Sequence, residues 1–202
     1  HDLRKYEEAI KKQKEIVVYY ISINNTSSFE YIQSVFRLRK IYDDLSGYKK
    51  EITKLDEIII SFNFSYTPTN EELLNLLIFK LSVYKYKSYT EYSSFVKNEF
   101  KKLDSILGSD MLYQNLKCGI VEILYPDYND AVKYIESYIF LLKENNMLKS
   151  KLGLGALFNL AELYIKNKEI LKAITINEQT LAINKELYGE QSISYIEDLD
   201  FL

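Results

Sequence analysis

The feature that most constrains this chain is the recurrence of helix-compatible runs at nearly constant spacing. Polar or helix-stopping clusters fall at Asn24-Asn25-Thr26-Ser27-Ser28, Ser46-Gly47, Ser65-Tyr66-Thr67-Pro68-Thr69, Gly108-Ser109-Asp110, Tyr125-Pro126-Asp127 and Tyr188-Gly189. Between them, apolar residues repeat at helical intervals. The aromatic or apolar residue just after a short break stands at Tyr6, Tyr48, Tyr89, Tyr128 and Ile170, with separations of 42, 41, 39 and 42 positions. Three positions further on come Ala9, Glu51, Tyr92, Ala131 and Ala173. Thr69-Asn70-Glu71-Glu72 offers a capping box, in which the Thr69 hydroxyl and the Glu72 carboxylate each take up a free amide at a helix start. A period this regular in a helical sequence predicts stacked helix hairpins, because one hairpin cannot bury its apolar face alone.

Composition agrees with helices. The 202 residues include only two prolines and six glycines, and 47% hydrophobic with 27% charged residues is the balance of an ordered chain with a sizeable core. A net charge of −3, with both signs interspersed, gives no phosphate-binding face, so no direct nucleic-acid contact is expected from this segment. One cysteine, Cys118, cannot form an internal disulfide. No signal peptide or long apolar span is apparent, so the expected setting is cytoplasmic, without a membrane role. Nineteen tyrosines fit either packing or recognition. The chain opens on His1 without a methionine, and its first 22 residues read as the second helix of a hairpin, so a preceding domain is expected.

Small residues sharpen the hairpin reading. In "LFNLAELYIKNKEILKAITINEQTLAINKELYG", Leu157 to Gly189, Ala161 and Ala173 sit where bulk would be expected. Two antiparallel helices approach most closely at one position each, where only a small side chain fits. Ala161 and Ala173 are assigned to that approach, with Gly119 and Ala131 doing the same one repeat earlier. Leu160, Leu163, Tyr164, Ile170 and Leu181 are expected to fill the remaining interhelical space.

The run Leu160-Ala161, Tyr164, Ile170, Ala173 resembles the tetratricopeptide (TPR) repeat pattern, and Gly119, Tyr128 and Ala131 match the same places one repeat earlier. The sequence departs from that pattern in lacking the usual terminal proline, in Asn177 where an aromatic is common, and in Glu51 and Tyr92 at the small second-helix position. The unit is longer than the usual repeat of about 34 residues, and "LAINKELYGEQSISYI" resembles the long-unit variety of kinesin light chains. The resemblance implies an all-α fold: a right-handed superhelix of about four and a half degenerate TPR-like hairpins with a period of about 41 residues, forming a single solenoid domain over residues 1–202.

Enzymatic chemistry finds little support. His1 is the only histidine, so Ser/His and Cys/His catalysis lack a base and a His-containing metal site lacks ligands. Cys118 reads as a small core residue, Asp43-Asp44 and Glu71-Glu72 as solvated faces or helix starts, and the "GLG" of Gly153 to Gly155 has no strand before it to make a phosphate loop. No cofactor and no metal are expected.

Binding is the better class, since stacked hairpins form a concave surface lined by their first helices. With Tyr164 as register, the inner positions of the last repeat are Phe158, Asn159, Glu162, Ile165 and Lys166. Earlier repeats contribute Tyr113, Leu116, Lys117, Ile120 and Ile123, then Leu74, Leu77, Ile78, Leu81 and Tyr84, then Gln33, Phe36, Arg37 and Lys40. The peptide-binding set expected is Arg37, Lys40, Leu81, Tyr84, Tyr113, Lys117, Phe158, Asn159, Glu162 and Lys166, with Asn159 able to pair a peptide amide and carbonyl. The aliphatic members have a second reading as core shared between hairpins. The Lys and Asn clamp of chaperone-binding TPR domains is missing at Phe36, Leu77, Leu116 and Phe158.

The chain is also similar to the peptide-pheromone sensors of low-GC Gram-positive bacteria, the Rgg, PlcR, NprR, PrgX and Rap type. That likeness implies the ligand-sensing C-terminal domain of a transcriptional regulator, binding a short peptide or protein segment, with a homodimer left open. The alternative is a stand-alone TPR scaffold for protein assembly.

Overall fold

A computed structural model describes residues 3–45 and 48–200; His1 and the Ser46-Gly47 break lie outside the described residues. Those residues form eleven helical segments: α1 (Leu3–Ser22), α2 (Phe29–Asp43), α3 (Lys49–Ser61), α4 (Asn70–Tyr84), α5 (Tyr89–Leu107), α6 (Met111–Gly119), α7 (Val121–Leu124), α8 (Tyr128–Glu144), α9 (Lys151–Lys166), α10 (Ile170–Tyr188) and α11 (Ile193–Asp200). Four sequence markers sit at second-helix starts: Tyr48 is the N-cap of α3, while Tyr89, Tyr128 and Ile170 open α5, α8 and α10. The fifth, Tyr6, lies within α1.

First helices begin on side-chain caps, which satisfy amides that have no partner within the helix. Ser28 accepts from the Tyr31 amide, Asp110 from Leu112 and Tyr113, Ser150 from Gly153, and Ser192 from Tyr195. Thr69 forms the expected capping box, its hydroxyl accepting from the Glu72 amide while Glu72 accepts from the Thr69 amide at 2.7 Å. These caps at 28, 69, 110, 150 and 192 carry the period. Connectors also fall at 85–88, 145–150 and 167–169, which the breaks read from the sequence had not marked.

The helices fall into two compact units, one ending at Glu99 and the other beginning at Phe100, with the boundary inside α5. In the first unit α2 packs on α1, α3 and α4, and α3 on α4. Its core gathers Ile32, Val35, Tyr42, Ile59, Phe79 and Val83, and the Tyr84 ring stacks on Phe95 at 3.9 Å. In the second, α9 is central and packs on α6, α8 and α10, with α11 against α10. Ile135, Leu142, Ala156 and Leu157 are fully buried there.

Ala161 and Ala173 are 3% and 2% exposed where α9 and α10 pack, and Ala131 is 1% exposed. Two expectations are corrected. Gly119 is exposed, with nothing within 4 Å of the position its Cβ would take, so it is not a close-approach contact. Ile170, at the start of α10, is 51% exposed and fills no interhelical space. The Gly119 error comes from a break at Ile120, whose φ of −128° and ψ of 21° interrupt the helix between α6 and α7. The caps Asp110 and Ser150 stand 40 apart while Tyr128 and Ile170 stand 42 apart, so this first helix is two residues short. Counting back from the second helix misplaces every residue before the break. From the cap, Gly119 stands in the place of Asn159 and not of Ala161.

Candidate functional site

In the second unit α9 carries Phe158, Glu162, Ile165 and Lys166 as exposed residues, with Asn159 half-buried among them. The 3.6-residue turn puts the sites at 158, 162 and 165 above one another and brings 159, 162 and 166 along the side nearer α6 and α7. Phe158 and Ile165 are 47% and 41% exposed. The flank is supplied by α6 and α7: a Cβ on Gly155 would stand 3.6 Å from Asn115 Oδ1, an oxygen that is buried and accepts no hydrogen bond among the described residues. At the far end Lys166 Nζ donates to both Glu122 carboxylate oxygens at 3.0 and 2.9 Å. That ion pair edges a pocket of about 300 Å³ whose walls include Tyr125, Tyr128, Ala131 and Leu163.

Behind the pocket lies a fixed carboxylate. Glu169 accepts from Lys172, from the Tyr128 hydroxyl at 2.6 Å and from Asn167 Nδ2 at 2.7 Å. Those donors, Lys172 foremost, hold its carboxyl down to about 2, so it is ionised at neutral pH. Burial first, then Glu169, pushes the Tyr128 hydroxyl up to about 12. Tyr164 is likewise pushed to about 12 by burial and by Glu136, to which its hydroxyl donates at 3.1 Å. These tyrosines are neutral donors. Cys118 is 1% exposed, and burial raises its thiol to about 12, which leaves it an unreactive core residue as expected.

Of the ten expected peptide-binding residues, four, Phe158, Asn159, Glu162 and Lys166, lie together on α9. Tyr113 and Lys117, expected on the same open face, are instead buried at 0% and 7% exposure. Lys117 Nζ donates to Asp104 at 2.9 Å and lies over the rings of Tyr113 and Tyr134, 5.7 and 5.2 Å from their centroids. The Tyr113 hydroxyl faces the Phe100 carbonyl and Asp104 Oδ1 at 3.0 and 3.1 Å. Tyr134 donates to Gln114, whose amide donates to the Gly108 carbonyl. Burial raises both phenols well above their ordinary range. The cause is again the two-residue offset: counted from the caps, Lys117 occupies the place of the buried Leu157.

In the first unit Arg37 and Lys40 are exposed on α2, Lys40 with its ammonium 5.8 Å from the Phe36 ring. Leu81 is 8% exposed and belongs to the core, as its second reading held; so are Leu74 and Leu77, at 6% and 2%. Tyr84 is half-buried in its stack on Phe95.

Two residues of the face, Asn115 and Glu122, were not singled out from the sequence. For Asn115 the signal was the N-cap register, which sets it level with Gly155; Glu122 lies beyond the Ile120 break and is placed by its pairing with Lys166. Arg39 was also missed: two positions beyond Arg37, it is 3% exposed and bound to Asp56 at 2.8 Å and Asp43 at 3.0 Å. Among the described residues no group of His, Cys, Asp and Glu is arranged to hold a metal ion, and no helix is long and apolar enough to cross a membrane.

The chain is similar to two solved structures of a kinesin light chain-like protein from Podosopora anserina with nearly identical TPR-like repeats. One aligns with a TM-score of 0.65 at 14% identity, covering 93% of this chain and 90% of that one. The other, a single-substitution variant, has the same score and identity and covers 90% and 87%. The fold is therefore TPR-like and all-α. No protein-family profile matches the chain, and no curated protein matches its sequence.

Proposed function

We propose that this TPR-like chain is a binding module that takes an extended peptide segment along α9, with α6 and α7 as flank. The observation that carries the reading is the composition of that face: Phe158 and Ile165, each a little under half exposed, lie beside Asn159, Glu162 and Lys166. Exposed apolar side chains interleaved with a carboxamide and charges suit a ligand that brings apolar side chains and an unsatisfied main chain. Asn159 supplies one donor and one acceptor on a single amide, the pattern a peptide unit presents. Its half-buried position keeps water from competing freely.

In its narrower form the module is the ligand-sensing part of a transcriptional regulator, as the pheromone-sensor resemblance implies, and the segment is a short free peptide whose binding favours one arrangement of the helices over another. In its broader form the segment belongs to a partner protein and the module is a scaffold.

Calorimetric titration with a pool of short peptides of apolar centre, on the wild type and Asn159→Ala, tests the reading. Micromolar or tighter binding that weakens by about 1–3 kcal/mol in the variant, the cost of leaving a buried polar partner unpaired, supports it. Failure of every peptide together with stable capture of a folded protein leaves the scaffold. Binding indifferent to Asn159 removes the face.

A further inference from the structure

The pocket at the end of the α9 face is built asymmetrically for charge. Its edge holds the Glu122–Lys166 pair, whose side chains are 51% and 56% exposed. An ion pair so open to water contributes little, so exchanging its cation for another costs little. Tyr125 and Tyr128 line the wall. Tyr125 stacks on Tyr134, with ring centroids 4.9 Å apart, and Tyr128 is pinned through its hydroxyl to Glu169. Both rings are thus held in place and offer a π system to a cation. The pocket also receives the C-terminal end of α9, at Lys166 and the C-cap Asn167, where the helix dipole is negative. A cation entering finds Glu122, two phenol rings and the C-terminus of α9. An anion finds Lys166 and the N-terminal turn of α8, where the Asp127 carboxylate already takes up the Asn129 and Asp130 amides.

We infer that this pocket is a subsite for a cationic side chain of the bound segment, arginine before lysine, and that Lys166 occupies Glu122 until that side chain displaces it. A planar guanidinium can lie against a tyrosine ring and still make two hydrogen bonds to one carboxylate, whereas an ammonium is a point charge with stronger hydration. The long, half-exposed Lys166 side chain swings into solvent without disturbing the core, and no backbone movement is needed. The subsite depends on the segment-binding reading for its natural ligand, but its chemistry is testable without one.

The experiment is an NMR titration of the full chain with N-acetyl-arginine N-methylamide. The isosteric neutral citrulline compound and the glutamate compound serve as comparisons. The arginine probe is expected to shift resonances of Glu122, Tyr125 and Tyr128 saturably, while citrulline leaves them in place. Lys166→Met removes the resident cation and should tighten the arginine probe by roughly threefold to tenfold, the range of one exposed charge contact with a cation–π contribution. Glu122→Gln should weaken it by a similar factor. Both substitutions lie in solvent, and an unchanged helical circular dichroism spectrum verifies the fold. Equal responses to arginine and citrulline, a response to glutamate alone, no response, or indifference to Glu122→Gln each overturn the subsite. A peptide that binds through Asn159 without preferring a basic residue separates the two proposals: the α9 face stands and the cation subsite falls.

Discussion

Among the described residues, Arg39 in the first unit and Lys117 in the second are buried cations, at 3% and 7% exposure. Arg39 is held by two carboxylates, and its guanidinium carbon lies 5.4 Å from the Tyr86 ring centroid. Lys117 has one carboxylate, Asp104, and two phenol rings. Neither was legible from the sequence, since Lys and Arg on a helix read as solvated unless the partner is known, and Asp104 and Asp56 lie 13 and 17 positions away. Removing one member of such a pair leaves the other desolvated, whereas replacing the cation with an apolar side chain does not. Asp104→Ala is therefore expected to cost about 1–3 kcal/mol, limited by the half-exposure of that carboxylate, and Lys117→Met distinctly less, as read by urea unfolding. An equal loss in both would assign the cost to packing. Glu169 gives a pH test. Its carboxyl titrates at about 2 in the folded chain against an ordinary 4.5, so the folded state prefers its ionised form. The stability it adds is complete above the unfolded value and is lost as pH falls from about 4.5 towards about 2. Glu169→Gln should flatten the fall in denaturation midpoint across that window.

At the scale of elements, the caps were the better ruler. The sequence markers located the second helices because Tyr48, Tyr89, Tyr128 and Ile170 sit at or beside their starts. They misled for the first helix of one repeat because the break at Ile120 shortens it, and nothing in the apolar pattern of "LKCGIVEIL" announces that. The helix-capping side chains Ser28, Thr69, Asp110, Ser150 and Ser192 bypass the break, and from them the burial of Tyr113 and Lys117 follows. The glycines of "GLG" divide in the same way. A Cβ on Gly153 would lie 1.9 Å from the Leu148 carbonyl oxygen, a backbone atom that cannot turn aside. Gly155 has ordinary room, its Cβ 3.6 Å from Asn115 Oδ1. Gly153→Ala should thus lower the melting temperature sharply, by forcing the 145–150 connector off the start of α9. Gly155→Ala should leave it unchanged or raise it, since alanine gains up to about 1 kcal/mol in a helix interior. Ala173→Phe overpacks α9 against α10 and should cost about 1–3 kcal/mol.

For the whole molecule, the period carried the fold. Stacked hairpins need only a regular alternation of helix starts and small contacts, and both are local enough to be written in one sequence. The binding face is less local. On α9 it was readable because an unbroken helix keeps its register over 16 residues, so Phe158, Asn159, Glu162 and Lys166 fall on one side. On α6 and α7 it was not, because the break at Ile120 shifts the register between Asn115 and Glu122. Much of the tyrosine content serves packing: Tyr113, Tyr134, Tyr138 and Tyr164 each turn a hydroxyl towards a carbonyl, carboxamide or carboxylate oxygen inside one unit. The claim on which the functional reading turns is that a ligand lies on the first-helix face. Photo-crosslinking tests it directly, with p-benzoylphenylalanine placed at Phe158 on α9 or at Phe140 on α8, which is 64% exposed. A segment-binding face on α9 gives ligand adducts from position 158 and none from 140; adducts from 140 alone, or none from 158 under saturating ligand, would contradict it.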